Sequence, residues 1–353
     1  MKIGILTHHY VSNYGAFLQA YALTEAVAKE FPEDTVEIID YINIKHFVIN
    51  FGGWFRFYPD RENLKCWLEK LRVPFTFSKA RKDNLRLSPR CYTAEQVNRL
   101  QYDVIIVGSD EVWNYQDKKS GAQIKFGHGL TCKNIVAYAP SVGNSQGDIP
   151  DMVSSGIKKF RAVSVRDEST GELVQKITGE KPARVLDPTC LAVCPSRQGR
   201  NVQKPYILFY YCDHLSETVK EKIFTYAARH GMAVYGAGEC HSRYDAVTVN
   251  LHPFEWVDLF ENAEYVFTGT FHGALFSILN RRQFWVHLTN KSRIRKVGCL
   301  LKEYGITGRE LDDTFSIDRA TPIDYPAVYA QLEEQREQSM TFLKTAIHMA
   351  KGS

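Results

Sequence analysis

Residues 2–41 read KIGILTHHYVSNYGAFLQAYALTEAVAKEFPEDTVEIIDY, and the fold class is decided there. Residues 2–7 form an apolar run that suits a strand buried on both faces. Residues 8–15, HHYVSNYG, form a loop. A helix is expected from about 16 to 30, with Phe17, Ala20, Tyr21, Val27 and Phe31 as its apolar stripe and Pro32 beyond its end. Residues 36–41 supply a second strand. Strand, helix, strand is the opening unit of a doubly wound parallel sheet. The loop lacks GxGxxG, so a dinucleotide site is not supported. Asn13 and Gly15 could shape an anion-binding helix start, and they could equally be a plain cap and turn.

Working outward, residues 42–90 break the alternation. They are rich in aromatics (Trp54, Phe55, Phe57, Tyr58, Trp67) and bases (Lys65, Lys70, Arg72, Arg81), and read as a helical insertion. Such a mixture packs a small helical excursion or stacks on sugars or bases. Thr93-Ala94-Glu95-Gln96 is a capping box. The strand expected at 102–107 ends in Gly108-Ser109-Asp110, and the one at 134–139 ends in Pro140-Ser141. The strand at 162–165 runs straight into Arg166. Ligands of open parallel sheets bind at the carboxyl ends of strands. There Ser109 and Asp110 offer a hydroxyl and a carboxylate, and the planar fork of Arg166 suits a carboxylate or phosphate. A turn, a cap and a structural ion pair with Asp167, Glu168 or another acid are the alternatives. A further strand is expected at 183–186.

Residues 194–204 are polar and read as a linker. The alternation then restarts, with strands expected at 206–211, 233–235, a short one at 247–249, and one at 284–287. Between the last two lies 263-AEYVFTGTFHGALFSIL-279. Its strand feeds a helix through Thr268-Gly269-Thr270. A helix start of this kind favours anions, and His272 beside it can deliver a proton near neutral pH. Capping or core packing is the alternative for His272. Lys291, Arg293 and Arg295 near the start of the next helix oppose its dipole, which is explained by a bound anion or by solvation. A long terminal helix is expected from about 327 to 349. The resulting domains are 1–195 with the insertion at 42–90, 196–325, and a C-terminal helix at 326–353 that folds back on the first domain.

The chain has 353 residues, 44% hydrophobic and 24% charged, with a net charge of +4. That is the balance of a globular protein, compatible with anionic substrates and too weakly basic to argue for nucleic acid. The N-terminus lacks the long apolar core of a signal peptide, and no stretch reaches the ~18 apolar residues of a membrane span. A cytoplasmic location is expected. Eight Cys occur without a CxxC pair, so zinc is not expected and the thiols are expected to be reduced and mostly buried.

Several motifs, in order, resemble the polysaccharide pyruvyl transferase family: Ile3-Gly4-Ile5-Leu6-Thr7 with Asn13-Tyr14-Gly15-Ala16 and Gln19-Ala20; Val107 to Asn114; Val163-Ser164-Val165-Arg166-Asp167; Leu186-Asp187-Pro188-Thr189; and Thr270-Phe271-His272-Gly273. The resemblance implies an α/β fold of two Rossmann-like domains facing across a cleft, similar to the GT-B glycosyltransferases. It implies transfer of pyruvate from phosphoenolpyruvate onto two hydroxyls of a sugar as a cyclic ketal. His272 and Arg166 match the catalytic His and Arg. Asn13, Gly15, Ser109, Asp110, Thr270, Gly273, Lys291 and Arg293 are the candidates for donor binding. The implied partners are phosphoenolpyruvate, which serves as substrate, and a sugar or lipid-linked glycan that brings peripheral membrane association. No cofactor, metal or nucleic acid is implied. Two departures stand out: the family commonly has Asp-Ser before Phe-His-Gly, where this chain has Gly269-Thr270, and Glu111 stands where Gln is common. A GT-B-type glycosyltransferase using a nucleotide sugar, with the 236–239 loop cradling a diphosphate, and a non-catalytic glycan- or anion-binding relative are the competing readings.

Overall fold

The N-terminal apolar run is a strand, β1 (Lys2–Leu6), in the computed structural model of the chain. The structure describes residues 1–58, 63–117, 122–197, 202–212 and 214–351, without the side chains of 291, 292, 350 and 351. After β1 come α1 (Tyr14–Glu30), β2 (Thr35–Ile38), α2 (Ile44–Gly53), α3 (Leu64–Lys70), α4 (Val73–Asn84), α5 (Ala94–Asn98), β3 (Val104–Val107), β4 (Ile135–Ala137), α6 (Asp151–Ile157), β5 (Ala162–Val165), α7 (Glu168–Thr178) and β6 (Ala183–Arg184). A second series follows: β7 (Tyr206–Tyr210), α8 (Glu217–Arg229), β8 (Ala233–Gly236), α9 (Pro253–Asn262), β9 (Tyr265–Thr268), α10 (Phe271–Leu279), β10 (Gln283–Val286), α11 (Lys291–Glu303) and α12 (Tyr325–Lys351).

The chain divides into two compact units. The first holds Met1–Gly53, Ser78–Val193 and Glu333–Ser353, and the second holds Trp54–Phe77 and Cys194–Leu332. The helical excursion is thus shared: α2 belongs to the first unit and α3 to the second. Each unit is a Rossmann-like α/β layer structure around a parallel sheet. In the first the strand order is β2-β1-β3-β4-β5-β6, and in the second it is β10-β9-β7-β8. In both, the order reverses beside the unit's first strand, between β1 and β3 and between β7 and β9. In open parallel sheets this crevice at the carboxyl ends is where ligands bind.

Local chemistry sets these elements. Asn13 caps α1, its Oδ1 accepting from the Ala16 N–H at 3.0 Å. The capping box at Thr93 forms, with Gln96 reaching back to it. In the second unit Phe209, Phe267 and Trp285, one from each of β7, β9 and β10, stack across the sheet at 5.3 and 5.4 Å between centroids. Rings on the same face of neighbouring strands make such a row wherever the register aligns them.

Two expectations are corrected. Residues 247–249 are not a strand. The Thr248 carbonyl accepts from the Gly238 N–H at 3.0 Å and its hydroxyl donates to the Gly236 carbonyl, so the segment serves the turn after β8 instead of the sheet ladder. The thiols are not all reduced: Cys66 of α3 is disulfide-bonded to Cys240, with Cα atoms 6.3 Å apart. No spacing rule could have paired residues 174 positions apart. Among the described residues, no helix is long and apolar enough to cross a membrane, and no group of three His, Cys, Asp or Glu is placed to hold a metal ion.

Candidate functional site

In the first unit the crevice between β1 and β3 is closed by polar groups. The Gln19 side chain, on α1, donates to the Thr7 hydroxyl at 2.9 Å and accepts from the Ser109 N–H at 3.2 Å, so it bridges the two strand ends. Asp110 holds a left-handed backbone (φ 67°), as does Ala139 (φ 50°) at the end of β4. The Asp110 carbonyl accepts from the Ser141 N–H at 2.7 Å, which fixes that conformation. Left-handed non-glycine residues cost about 1–2 kcal/mol and gather at functional sites.

Arg166 leaves β5 into this group. Its guanidinium donates to Asp187, to Asp110 at 3.2 Å and to the Ser109 hydroxyl at 3.4 Å. Burial alone would lower its pKa, but the carboxylates of Asp187, Asp110 and Asp167 raise it above the ordinary arginine value. The ion pair is therefore with Asp187 and Asp110, not with Asp167 or Glu168 as direct partners. Asp187 is anchored in turn by the Thr189 N–H at 3.0 Å and hydroxyl at 2.7 Å.

Behind Asp110 lies a buried basic cluster that the sequence did not advertise. Lys125, in a short 3₁₀ turn (Gln123–Phe126), is fully buried, and its ammonium lies 2.9 Å from His8 Nε2. Burial pulls the Lys125 pKa down to about 7, against the opposing pull of Asp110 and Asp117. Burial, then the Lys125 charge, holds His8 well below its usual value. Beside it, His9 Nε2 meets Asp40 at 2.9 Å, and Arg90 donates to the same carboxylate at 3.0 Å. A lysine titrating near 7 can exchange a proton at physiological pH. A lone Lys between Ile124 and Phe126 carries no pattern that distinguishes it from a surface turn.

In the second unit the crevice lies between β7 and β9, and the 263–279 stretch forms its wall. Thr270 caps α10, its hydroxyl accepting from the Gly273 N–H at 3.0 Å. Gly273 is required: a Cβ there would fall 2.0 Å from the Thr268 hydroxyl. The half-buried His272 stands in the first turn, its ring edge-on to Phe271 at 5.5 Å. A Cβ at Gly269 would meet the Tyr211 carbonyl oxygen at 2.4 Å and Arg293 Nη1 at 2.8 Å. The guanidinium of Arg293 thus fills the space that a side chain at 269 would take. Arg293 is held by its N–H to Asn290 at 3.0 Å and its fork to Thr289 at 3.0 Å.

Of the residues singled out from sequence, Ser109, Asp110 and Arg166 come together in the first unit. Asn13 and Gly15 sit at the start of α1, whose Gln19 reaches Ser109. In the second unit Thr270, His272, Gly273 and Arg293 gather around one turn. The side chain of Lys291 lies outside the described residues. Gln19, Asp187, Lys125, His8 and His9 were not singled out. Gln19 and Asp187 lay inside recognised motifs, which was their only signal.

A family model for polysaccharide pyruvyl transferase matches residues 13–292. No curated protein matches the chain in sequence. Solved structures similar to it include the glycosyltransferase SnogD from Streptomyces nogalater, 11% identical over 100% of both chains with a TM-score of 0.47. UDP-GlcNAc 2-epimerase from Methanocaldococcus jannaschii is 11% identical over 95% of this chain and 93% of that one, with a TM-score of 0.45. ADP-heptose lps heptosyltransferase II from E. coli is 9% identical over 95% and 99%, with a TM-score of 0.41.

Proposed function

Because the chain belongs to the polysaccharide pyruvyl transferase family, we propose that it moves pyruvate from phosphoenolpyruvate onto a sugar of a glycan precursor as a cyclic ketal. The observation that carries this reading is the turn at Gly269, where the Arg293 guanidinium lies against the start of the helix that bears His272. A cation and a helix N-terminus at one strand end suit a doubly anionic donor. Where the family commonly has a carboxylate, this chain presents a positive charge, which favours the donor's phosphate or carboxylate more strongly.

The chemistry needs one acid and two hydroxyls. Protonation of the methylene carbon gives an oxocarbenium-like centre at C2. One sugar hydroxyl bonds to C2, the C2–O bond to phosphate breaks, and the second hydroxyl closes the ring. Of the two hydroxyl protons lost, one balances the new methyl group and the other leaves on phosphate. His272 is the acid, or the partner of the departing phosphate; Arg293, Thr270 and the α10 start hold the donor. Arg166 anchors Asp110 and Ser109 in the first unit. Such an enzyme meets the membrane only through a lipid-linked acceptor.

Phosphate release from phosphoenolpyruvate with a panel of acceptor glycans tests this. His272→Ala and Arg293→Ala are expected to lower the rate at least about a hundredfold, the usual scale for a general acid. Stabilisation of the protein by UDP or GDP alone, with no response to phosphoenolpyruvate, would overturn the reading in favour of a nucleotide-sugar enzyme. Retained activity in both variants would remove the site assignment.

A further inference from the structure

A cavity of about 930 Å³ opens within the second unit at the carboxyl ends of β7 and β8, lined by residues of both its segments. Its volume is at the upper end for small-molecule sites. One wall comes from the excursion: Trp54, Asn63 and Cys66 line it. The other comes from the turns after the strands: Tyr211 follows β7, and Glu239 and Cys240 follow β8. The Cys66–Cys240 disulfide ties the two walls together. Without that bond α3 would be joined to this edge of the sheet only by noncovalent contacts.

The polar groups are arranged for hydroxyls rather than for phosphate. Among the described residues that line the cavity, Glu239 is the carboxylate, and it is oriented by the Tyr211 N–H at 2.5 Å on one oxygen and the Tyr244 hydroxyl at 2.7 Å on the other. A carboxylate is an acceptor only, and one oriented in this way suits the hydroxyl donors of a ligand. The two lysines among its lining residues have partners of their own. Lys70 donates to the Arg56 carbonyl at 2.9 Å and lies over the Tyr58 ring, and Lys220 pairs with Glu217 at 2.7 Å. The rings of Trp54 and Tyr211, the latter 44% exposed, present apolar faces with polar edges. An apolar ring face, an oriented carboxylate and an Asn amide are the groups that recognise a pyranose, whose two faces are C–H and whose rim is hydroxyl.

The cavity also adjoins the turn already described. Tyr211 lines it, and the Tyr211 carbonyl oxygen would lie 2.4 Å from a Cβ at Gly269. The Gly269 N–H donates to the neighbouring Tyr210 carbonyl at 3.1 Å. Resting on the reading of that turn as the donor site, the geometry points to this cavity as the acceptor subsite, taking an uncharged hexopyranose unit with Glu239 on its hydroxyls and Tyr211 against its ring. The Trp54–Phe77 part of the excursion is then a wall of the acceptor site, and the disulfide ties it to the opposite wall.

Two measurements on the full chain separate this assignment from the donor reading. Binding of a panel of methyl hexopyranosides is followed by saturation-transfer NMR without phosphoenolpyruvate, and phosphate release is measured with the best of them. At least one hexopyranoside is expected to bind, and Tyr211→Ala and the milder Glu239→Gln are expected to weaken it about tenfold, the scale of a lost hydrogen bond to a charged group. The KM for the acceptor rises with it, while that for phosphoenolpyruvate stays within about twofold. Binding that the variants weaken, with no phosphate release, upholds the pocket and removes pyruvyl transfer. Phosphate release whose acceptor KM is unchanged in both variants removes the pocket and leaves the transfer. Absence of binding by every hexopyranoside at millimolar concentration, or displacement of the bound sugar by UDP or thymidine diphosphate, overturns the assignment.

Discussion

Lys125 links a buried charge to the pH response of the first unit. In the folded chain its pKa is lowered to about 7, whereas an unfolded lysine titrates near 10.4. Between these values the unfolded chain holds the extra proton, so stability rises with pH at up to about 1.4 kcal/mol per unit. His8, held low by burial and by Lys125, acts with the same sign lower down. Below about pH 6.5 the unfolded chain takes up the proton and stability falls further. Urea unfolding at pH 7 and pH 9 should therefore favour pH 9 in the wild type. The stability difference between wild type and Lys125→Met should shift by about 2–3 kcal/mol between the two; a pH-independent difference would sink the argument. At Gly269 the question is space. Gly269→Ala drives a methyl group against a backbone carbonyl that cannot rotate away, so a loss of about 1–3 kcal/mol is expected from overpacking. Displacement of Arg293 should also raise the KM for phosphoenolpyruvate more than it changes the KM for acceptor, measurable in the same phosphate-release assay. Gly269 was legible in the sequence as a departure from its family. Its consequence was not, because the side chain that fills the space comes from position 293 through tertiary packing. Lys125 was invisible for the same reason.

Elements were easier to read than their ends. Continuous apolar runs at β1, β3, β5 and β7 lie within three residues of their expected limits, since a strand buried on both faces must be apolar throughout. The short run at 247–249 looked the same and is not a strand, because three apolar-flanked residues cannot say whether a sheet edge or a turn will pair with them. The excursion was legible as an interruption and not as a partner of the second unit. Beside the hydrogen bond from the Thr76 hydroxyl to Asn250 Oδ1 at 2.7 Å, a covalent bond attaches it there: the disulfide closes a sequence separation of 174 residues. Loops that long give the largest chain-entropy effect, roughly 5 kcal/mol in the simple model and about 2–5 kcal/mol in practice. Cys66→Ser is expected to lower the urea midpoint of the second unit by a corresponding amount. Dithiothreitol should do the same to the wild type and nothing to the variant. If reductant destabilises both equally, the bond is not what holds α3.

At the scale of the whole molecule, the sequence order of the chain is not the order of its units. The alternation of strands and helices, restarting after residue 204, made two α/β units legible, because each parallel sheet needs its own run of crossover helices. The sequence already sends the terminal helix back to the first domain, but the transfer of Trp54–Phe77 to the second unit was not legible, since nothing local says which unit a helix will cover. The first unit takes its last helical segment from Glu333–Ser353, after the second unit has been built. In that segment Leu343 and Ile347 are fully or almost fully buried, and the Ser339 hydroxyl accepts from the Leu186 N–H at 2.9 Å. Arg336 donates to the Cys190 carbonyl, and Lys344 pairs with Glu30 at 2.9 Å. Leu186 and Cys190 flank Asp187, the carboxylate that holds Arg166, so the last helix backs the anchor of the first unit's site. Two buried aliphatic side chains are worth about 3–6 kcal/mol together, a large part of the 5–15 kcal/mol that holds a typical domain. Truncation after Leu332 removes them. The truncated chain should lose cooperative unfolding of the first unit and gain protease cleavage within Ser78–Val193, while the Cys66–Cys240 bond and the second unit's protected core persist. The point variant Ser339→Ala is the milder control. It strands the Leu186 N–H, at a cost of about 1–3 kcal/mol to the first unit in urea unfolding, without abolishing folding. A truncated chain that unfolds as cooperatively as the full one would show that the last helix is an appendage and not a structural part of the first unit.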